Sequence, residues 1–218
     1  MLISILKGFL ELFVSFNGIF YILAYLIGGI PFGYILAKSI GGVNIKEQGS
    51  GNIGATNVLR VLKKKDPKLA KKLGATTLLL DALKGVVVLL VAKFMGANSD
   101  VLWAIAFFAV LGHCYSPFLK FEGGKGVATA FGVLLVLIPV ATLIALVVWV
   151  FFAKVVKISS LSSLIAVVSI VISSYILYPD GLGDINTHSP LLLIAFIIFY
   201  KHIPNIKRLI KREEIKVA

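Results

Sequence analysis

The sequence predicts an all-α polytopic membrane protein with about seven transmembrane helices, folded as a single domain over residues 1–218. Three observations lead there. Apolar residues make up 59% of the chain and the mean hydropathy is +0.99, above the roughly 45–50% apolar share of soluble domains. Several runs approach or exceed the ~20 apolar residues that span a bilayer as a helix. The charge is uneven, with 22 Lys and Arg against 10 Asp and Glu, and the basic residues collect in alternate connecting segments, as cytoplasmic loops do. In a soluble chain a net charge of +12 would suggest nucleic acid. Here membrane topology, anionic lipid headgroups and a polyanionic substrate are the competing explanations, and no nucleic-acid partner is expected. A single cysteine, Cys114, excludes an internal disulfide, and the three histidines, His113, His188 and His202, are widely separated. No metal site and no cofactor are expected.

Taken in order, residues 1–15 hold an apolar stretch too short to span and weak cleavage signals; they read as a lead-in or interfacial segment. Apolar spans follow at about 18–38, 73–95, 101–119, 127–138, 140–156, 160–178 and 188–203. The fourth and fifth come from one run, which Pro139 divides because proline breaks or kinks a helix interior. Charge parity agrees. With the loop 38–72 inside, seven spans also bring Lys120, Lys125, Lys154, Lys157 and the six basic residues of the tail inside, nineteen of the 22 in all. A single helix over 126–157 would send the basic tail outside. The segments around 96–100 and 179–187 are basic-poor and fall outside. No internal repeat is visible, which weakens an inverted-repeat transporter reading.

Three polar segments lie at the inner face. The first is GSGNIGATNVLR, Gly49 to Arg60, read as a flexible loop. Its glycines, Gly49, Gly51 and Gly54, let backbone N–H groups converge on an anion. Ser50, Asn52, Thr56 and Asn57 add side-chain donors, and Arg60 forks onto a phosphate. A solvated turn is the bland alternative. The second is GHCYSPFLKFEGGKGVAT, Gly112 to Thr129. Gly123, Gly124 and Gly126 flank Lys125 at a helix start, where an ammonium and amides crowd one anion; a helix-entry turn with a snorkelling lysine would look the same. The third is YKHIPNIKRLIKREE, Tyr200 to Glu214. His202 and Asn205 share a helix face at a spacing of three, although Pro204 intervenes, and the basic run behind them suits anionic lipid. A fourth, weaker patch is KISSLSS, Lys157 to Ser163. His113 and Cys114 make an unconvincing nucleophile pair, since neighbours on a helix diverge and no orienting carboxylate is evident. Asp81 and Lys84, three apart within a span, read as an ion pair that braces the site.

Together these segments resemble the bacterial acyl-phosphate-dependent glycerol-3-phosphate acyltransferase family (PlsY), over nearly the whole chain. GSGNIGATNVLR resembles its first motif, GHCYSPFLKFEGGKGVAT its second and HIPNIKRL its third. The chain departs from the family pattern at Ser116, which interrupts the usual aromatic–proline pair, at Glu122 before GGKG, and in the loop 63–72, which is longer and more basic than expected. The resemblance implies seven spans in the bacterial inner membrane, with the N terminus outside, the C terminus inside and the active site facing the cytoplasm. It implies transfer of a fatty acyl group from acyl phosphate to sn-glycerol 3-phosphate, giving lysophosphatidic acid and phosphate, the first step of phospholipid synthesis. Implied partners are these two substrates, membrane lipid and, transiently, an enzyme that makes acyl phosphate. Carried over by position, Ser50, Arg60, Lys125, His202 and Asn205 are the expected catalytic residues. Gly49, Asn52, Gly54, Thr56, Asn57, His113, Gly123, Gly124, Gly126 and Ser160 are expected to bind substrate.

The residues suit that reaction. Both substrates carry phosphate, so the site must hold anions at a membrane surface, and a good leaving group needs no covalent intermediate. The expected mechanism is direct transfer. Arg60, Ser50 and nearby amides hold the glycerol phosphate; Lys125 and the GGKG amides hold the donor phosphate and the developing oxyanion. His202 and Asn205 complete the pocket, and a substrate phosphate takes the proton, the three motifs holding almost no carboxylates. Phe118 stands where an H-x4-D motif counted from His113 would need Asp. The alternatives are a transporter of a phosphorylated solute and a lipid-binding scaffold.

Overall fold

The computed structural model describes residues 15–216 and is helical throughout, with one isolated bridge between Leu182 and Ile185 and no strand among the described residues. The interpretation of residues 1–14 as a lead-in lies outside the described residues. Helix α1, Phe16–Gly29, starts where the Ser15 hydroxyl accepts the Gly18 amide. It breaks at Ile30 and Pro31, since proline offers no amide to continue the ladder, and resumes as α2, Phe32–Ser39. Helix α3, Ala55–Lys63, follows, and then α4, Pro67–Phe94. The latter begins well before the expected boundary at 73. Asp66 accepts from the amides of Lys68 and Leu69, and Pro67 occupies the first turn, where its missing N–H costs nothing. Helix α5, Ser99–Cys114, is capped by Asn98 and leads into a 3-10 turn at Pro117–Leu119.

Helix α6, Val127–Leu137, and helix α7, Pro139–Val155, divide one apolar run at the expected proline. Helix α8 is Ser159–Leu177. Helix α9, Ser189–Lys201, bends by 56° into α10, Ile203–Ile210. Pro204 thus sits in the first turn of a new helix rather than inside an old one, which removes the conflict seen in the sequence. Length and composition support four membrane spans, or five with the bent pair counted as one, where charge parity gives seven; α6 and α7 are apolar but shorter.

The bundle is inside-out. Large apolar side chains such as Leu79, Val87, Phe94, Val147, Phe151, Ile176 and Phe196 are exposed on its outer faces, where lipid tails replace water as the solvent. Hydrophobic burial drives helix association weakly in that medium, so close contact through small residues takes over. Gly28 of α1 lies on Ala109 of α5, and Gly112 of α5 lies on the Tyr25 carbonyl of α1; Gly132 of α6 meets the Ala82 carbonyl of α4 in the same way. The expected flexible loop 49–60 is instead part of a folded layer. Val58 and Leu62 of α3 bury against Ala37, Ile45, Ile53, Ala70 and Leu73, a second apolar core that fixes the loop above the bundle. The departures at Ser116 and Glu122 are accommodated: the Ser116 hydroxyl donates to the Gly29 carbonyl at 2.6 Å, and Glu122 pairs with Lys46 at 3.0 Å.

Gly112→Leu is expected to destabilise the protein by about 1–3 kcal/mol through overpacking. Thermal denaturation in detergent checks this; an unchanged midpoint would contradict the close α1–α5 contact.

Candidate active site

This folded layer, the bundle and the tail enclose a cavity of about 500 Å³. Its polar end is lined by Ser50, Asn52, Thr56, Arg60, Lys125, His202, Asn205 and Glu214, and its apolar arm by residues such as Leu134, Ala145, Val167, Ile170 and Ile194.

Asn57 builds the first wall. It is 2% exposed, and its carboxamide N–H groups are shared among the carbonyls of Asn52 at 2.8 Å, Ile45 at 3.0 Å and Gln48 at 3.1 Å. Its oxygen accepts the Ser50 amide at 2.9 Å. Asn52 accepts the Gly54 amide at 2.8 Å just before α3. These bonds spend the amides of Ser50 and Gly54 and the Asn57 side chain on holding the loop, while Gly54 and Asn57 themselves also line the cavity. Gly49 lies off the cavity, at φ +64°, where a Cβ would strike Asn57. What the loop delivers is the exposed face of α3. Thr56 and Arg60, four apart, turn to the cavity, while Val58 and Leu62 turn to the core. The Thr56 hydroxyl lies 3.2 Å from that of Ser159.

The second wall is GGKG, and its sequence reading is corrected. The Gly123 amide donates to the Cys114 carbonyl at 3.2 Å and the Gly124 amide to the His113 carbonyl at 2.9 Å. Both amides are thus occupied, and neither residue lines the cavity. Their amides extend the C-terminal end of α5, satisfying carbonyls that a helix end leaves open. A Cβ at Gly124 would meet the His113 ring, so glycine is what lets the loop close over it. Gly126, at φ +81°, then turns the chain into α6, and Lys125 projects to the cavity.

The third wall is the helix bend. The Nδ1 of His202 lies 2.7 Å from the Ile198 carbonyl. A carbonyl only accepts, so Nδ1 carries the proton and Nε2 keeps its lone pair. Sequence reasoning missed Glu214. It comes back from the tail and accepts from Asn205 at 2.6 Å, Ser160 at 2.9 Å and Arg208 at 2.6 Å. Nothing in a basic tail marks that one carboxylate; the signal exists only once α10 has turned. A carboxylate also stands near His113, contrary to expectation: Asp81, which pairs with Lys84 as expected, lies 3.7 Å from the imidazole.

Charge follows this geometry. Arg60 and Lys125 make no hydrogen bond or ion pair among the described residues, and both line the cavity. Burial lowers the Arg60 guanidinium from its ordinary value and nearby Glu214 opposes that; it stays cationic near neutrality. Burial, with Arg208 and Arg60 adding to it and Glu214 opposing, pushes Lys125 down to about 8. Burial alone would raise Glu214, but hydrogen bonds from Arg208, Asn205 and Ser160 outweigh it and hold the carboxyl below its usual range. No three His, Cys, Asp or Glu side chains among the described residues group as a metal site, and Cys114 is buried away from the cavity.

The chain matches the family described as Glycerol-3-phosphate acyltransferase over residues 18–212. A protein named Glycerol-3-phosphate acyltransferase from a Nitratiruptor species is 61% identical over 209 residues, 96% of this chain and all of that protein. One of the same name from Aliarcobacter butzleri is 62% identical over 201 residues, 92% of this chain and 96% of that protein. Two crystal structures of PlsY, an integral membrane glycerol 3-phosphate acyltransferase, superpose with TM-scores of 0.81 and 0.79 at 35% identity. The first, a glycerol 3-phosphate form, covers 94% of this chain and 96% of its own; the second, a lysophosphatidic acid form, covers 93% and 95%.

Glu214→Gln is expected to lower stability near pH 7 by about 1–2 kcal/mol, discounted because Arg208 keeps 32% side-chain exposure. The native carboxyl is held below its unfolded value of about 4.3. Its contribution is therefore present above that pH and lost as pH falls through the native value. The gap in denaturation midpoint between native protein and variant should persist from about pH 7 to about 5 and close in acid.

Proposed function

The chain belongs to the glycerol-3-phosphate acyltransferase family, and from that premise we propose that it transfers a fatty acyl group from acyl phosphate to the 1-hydroxyl of sn-glycerol 3-phosphate, releasing lysophosphatidic acid and phosphate. One observation carries the reading: two cations without protein partners among the described residues, Arg60 and Lys125, line the polar end of a cavity that is otherwise apolar. Acceptor and donor each bring a phosphate, and the donor also brings an alkyl chain. The apolar arm suits that chain, entering between helices from the bilayer.

The glycerol oxygen attacks the acyl carbonyl carbon, a new C–O bond forms, and the bond to the phosphate oxygen breaks with its electron pair leaving on phosphate. Arg60 and Ser50 hold the acceptor phosphate; a guanidinium forks onto it and a lysine would not. Lys125 holds the donor phosphate and the developing oxyanion, where a buried, pre-positioned charge acts most strongly. The lone pair on His202 Nε2 and the Asn205 carboxamide orient the attacking hydroxyl, whose proton passes to a phosphate oxygen. Transfer is direct, with no acyl-enzyme. The protein works in the bacterial inner membrane through seven spans, N terminus outside and C terminus inside. The site opens to the cytoplasm, where an enzyme that makes acyl phosphate meets it transiently.

Purified protein in lipid, given glycerol 3-phosphate and palmitoyl phosphate, is expected to form lysophosphatidic acid, and none with palmitoyl-CoA. Failure with both donors, together with uptake of a phosphorylated solute by vesicles, would favour the transporter. Lys125→Met should reduce kcat about 10²–10³-fold, as loss of one oxyanion-stabilising group does. Because free Lys125 loses its proton near pH 8, kcat/KM should fall as pH rises through about 8. Lys125→Arg should carry that limb to higher pH; an unmoved limb would exclude Lys125 as its source.

A further inference from the structure

Behind the cavity wall, Lys84 of α4 is 4% exposed and its ammonium meets three acceptors. They are the Ile30 carbonyl at 3.0 Å, Asp81 Oδ1 at 2.8 Å and His113 Nδ1 at 2.8 Å. An ammonium has three donors and no acceptor, so this set is complete. The Ile30 carbonyl is available because Pro31 interrupts the helix there, and the Asp81 carboxylate balances the charge. The imidazole nitrogen facing an ammonium accepts, and so carries no hydrogen. Asp81 is 3.7 Å from the same nitrogen, too far for a hydrogen bond, so lysine rather than aspartate sets the ring. The opposite edge, Nε2, abuts Gly124, next to Lys125, and His113 lines the cavity.

We propose that Lys84 is a positioning residue that locks His113 as the neutral Nε2–H tautomer, so that the ring offers a hydrogen-bond donor to the phosphate-bearing ligand held by Lys125. This rests on the acyl-transfer reading of the cavity. The two histidines of the wall then have opposite polarity. His202 bonds a carbonyl through Nδ1 and offers a lone pair at Nε2; His113 faces an ammonium through Nδ1 and offers a proton at Nε2. One is suited to a hydroxyl and the other to an anion, and neither assignment is visible from residue type. The Asp81–Lys84 pair is neutral as a unit, which lets it deliver this bias from within a membrane span.

The test uses the full chain in lipid nanodiscs, labelled with ring-¹⁵N histidine, the His113 signals being assigned by their absence in His113→Gln. Native His113 is expected to show a protonated Nε2 and a bare Nδ1; a protonated Nδ1 overturns the proposal without any variant. In the charge-neutral double variant Asp81→Asn/Lys84→Met, His113 should become a mixture of tautomers or switch to Nδ1–H, and an unchanged pattern overturns it. Asp81→Asn/Lys84→Gln serves if the first does not fold. Turnover adds a readout that bracing alone would not move. The double variant should lower kcat at least tenfold in the native background. In His113→Gln, whose amide donates without needing a tautomer, it should lower kcat less than threefold. Equal losses in both backgrounds would make Lys84 merely structural. If native protein forms no lysophosphatidic acid, the acyl-transfer reading fails while the tautomer result is read independently.

Discussion

Like charges at one cavity are the constraint on which the rest of this structure depends. Arg60 and Lys125 line the same space, and Arg208 is close enough to act on both. Three cations held together at partial burial repel, and burial itself disfavours each of them. The Glu214 carboxylate opposes that effect on Arg60 and Lys125. It does so while fully occupied by Arg208, Asn205 and Ser160. With Asp81 paired to Lys84 and Glu214 to Arg208, Arg60 and Lys125 are the charges on the cavity wall left for an anionic ligand to neutralise.

Holding such a site open requires that every supporting polar group be satisfied elsewhere. The first loop does this through Asn57 and the second through the carbonyls of His113 and Cys114. In both, glycine-rich backbone that looks like an anion nest is used to close the fold. The amides of Ser50, Gly54, Gly123 and Gly124 are consumed locally and long side chains are left to face the ligand. This division separates rigidity from binding: backbone bonds fix where α3 and α6 begin, and Arg60 and Lys125 reach from them.

The membrane supplies the other half of the design. With lipid outside, the helices meet through glycine and alanine. Ser163 of α8, which lines the cavity, returns its hydroxyl to the Ser159 carbonyl of its own helix at 2.9 Å, so that this part of the wall stays compatible with an apolar cavity arm. The ion pair of Asp81 and Lys84 is the exception within the spans. Its third bond, to His113, connects the buried charge to the cavity.

The helical architecture and many of the cavity-lining residues were legible in the sequence. Helical class follows from apolar runs long enough that no other structure could satisfy their backbone in lipid. The break at Pro139 follows from proline's missing donor. Ser50, Arg60, Lys125, His202 and Asn205 were legible because flexible, charged motifs between apolar spans have few structural uses, and all five line the cavity. Roles were less legible, since an amide or an imidazole does different work according to its partner. Whether Gly124 binds an anion or a carbonyl, whether Asn57 meets substrate or loop, and which nitrogen of His113 bears hydrogen are decided by atoms remote in sequence. Glu214 is the clearest case. Its carboxylate has no local pattern, and only the turn at His202, which brings the tail back beneath Ser160, gives it a place. Residue type and period determined which segments are apolar helices and which side chains carry charge; tertiary structure decided which of those groups remain free, because hydrogen-bonding capacity is finite and is claimed first by whatever the fold brings near.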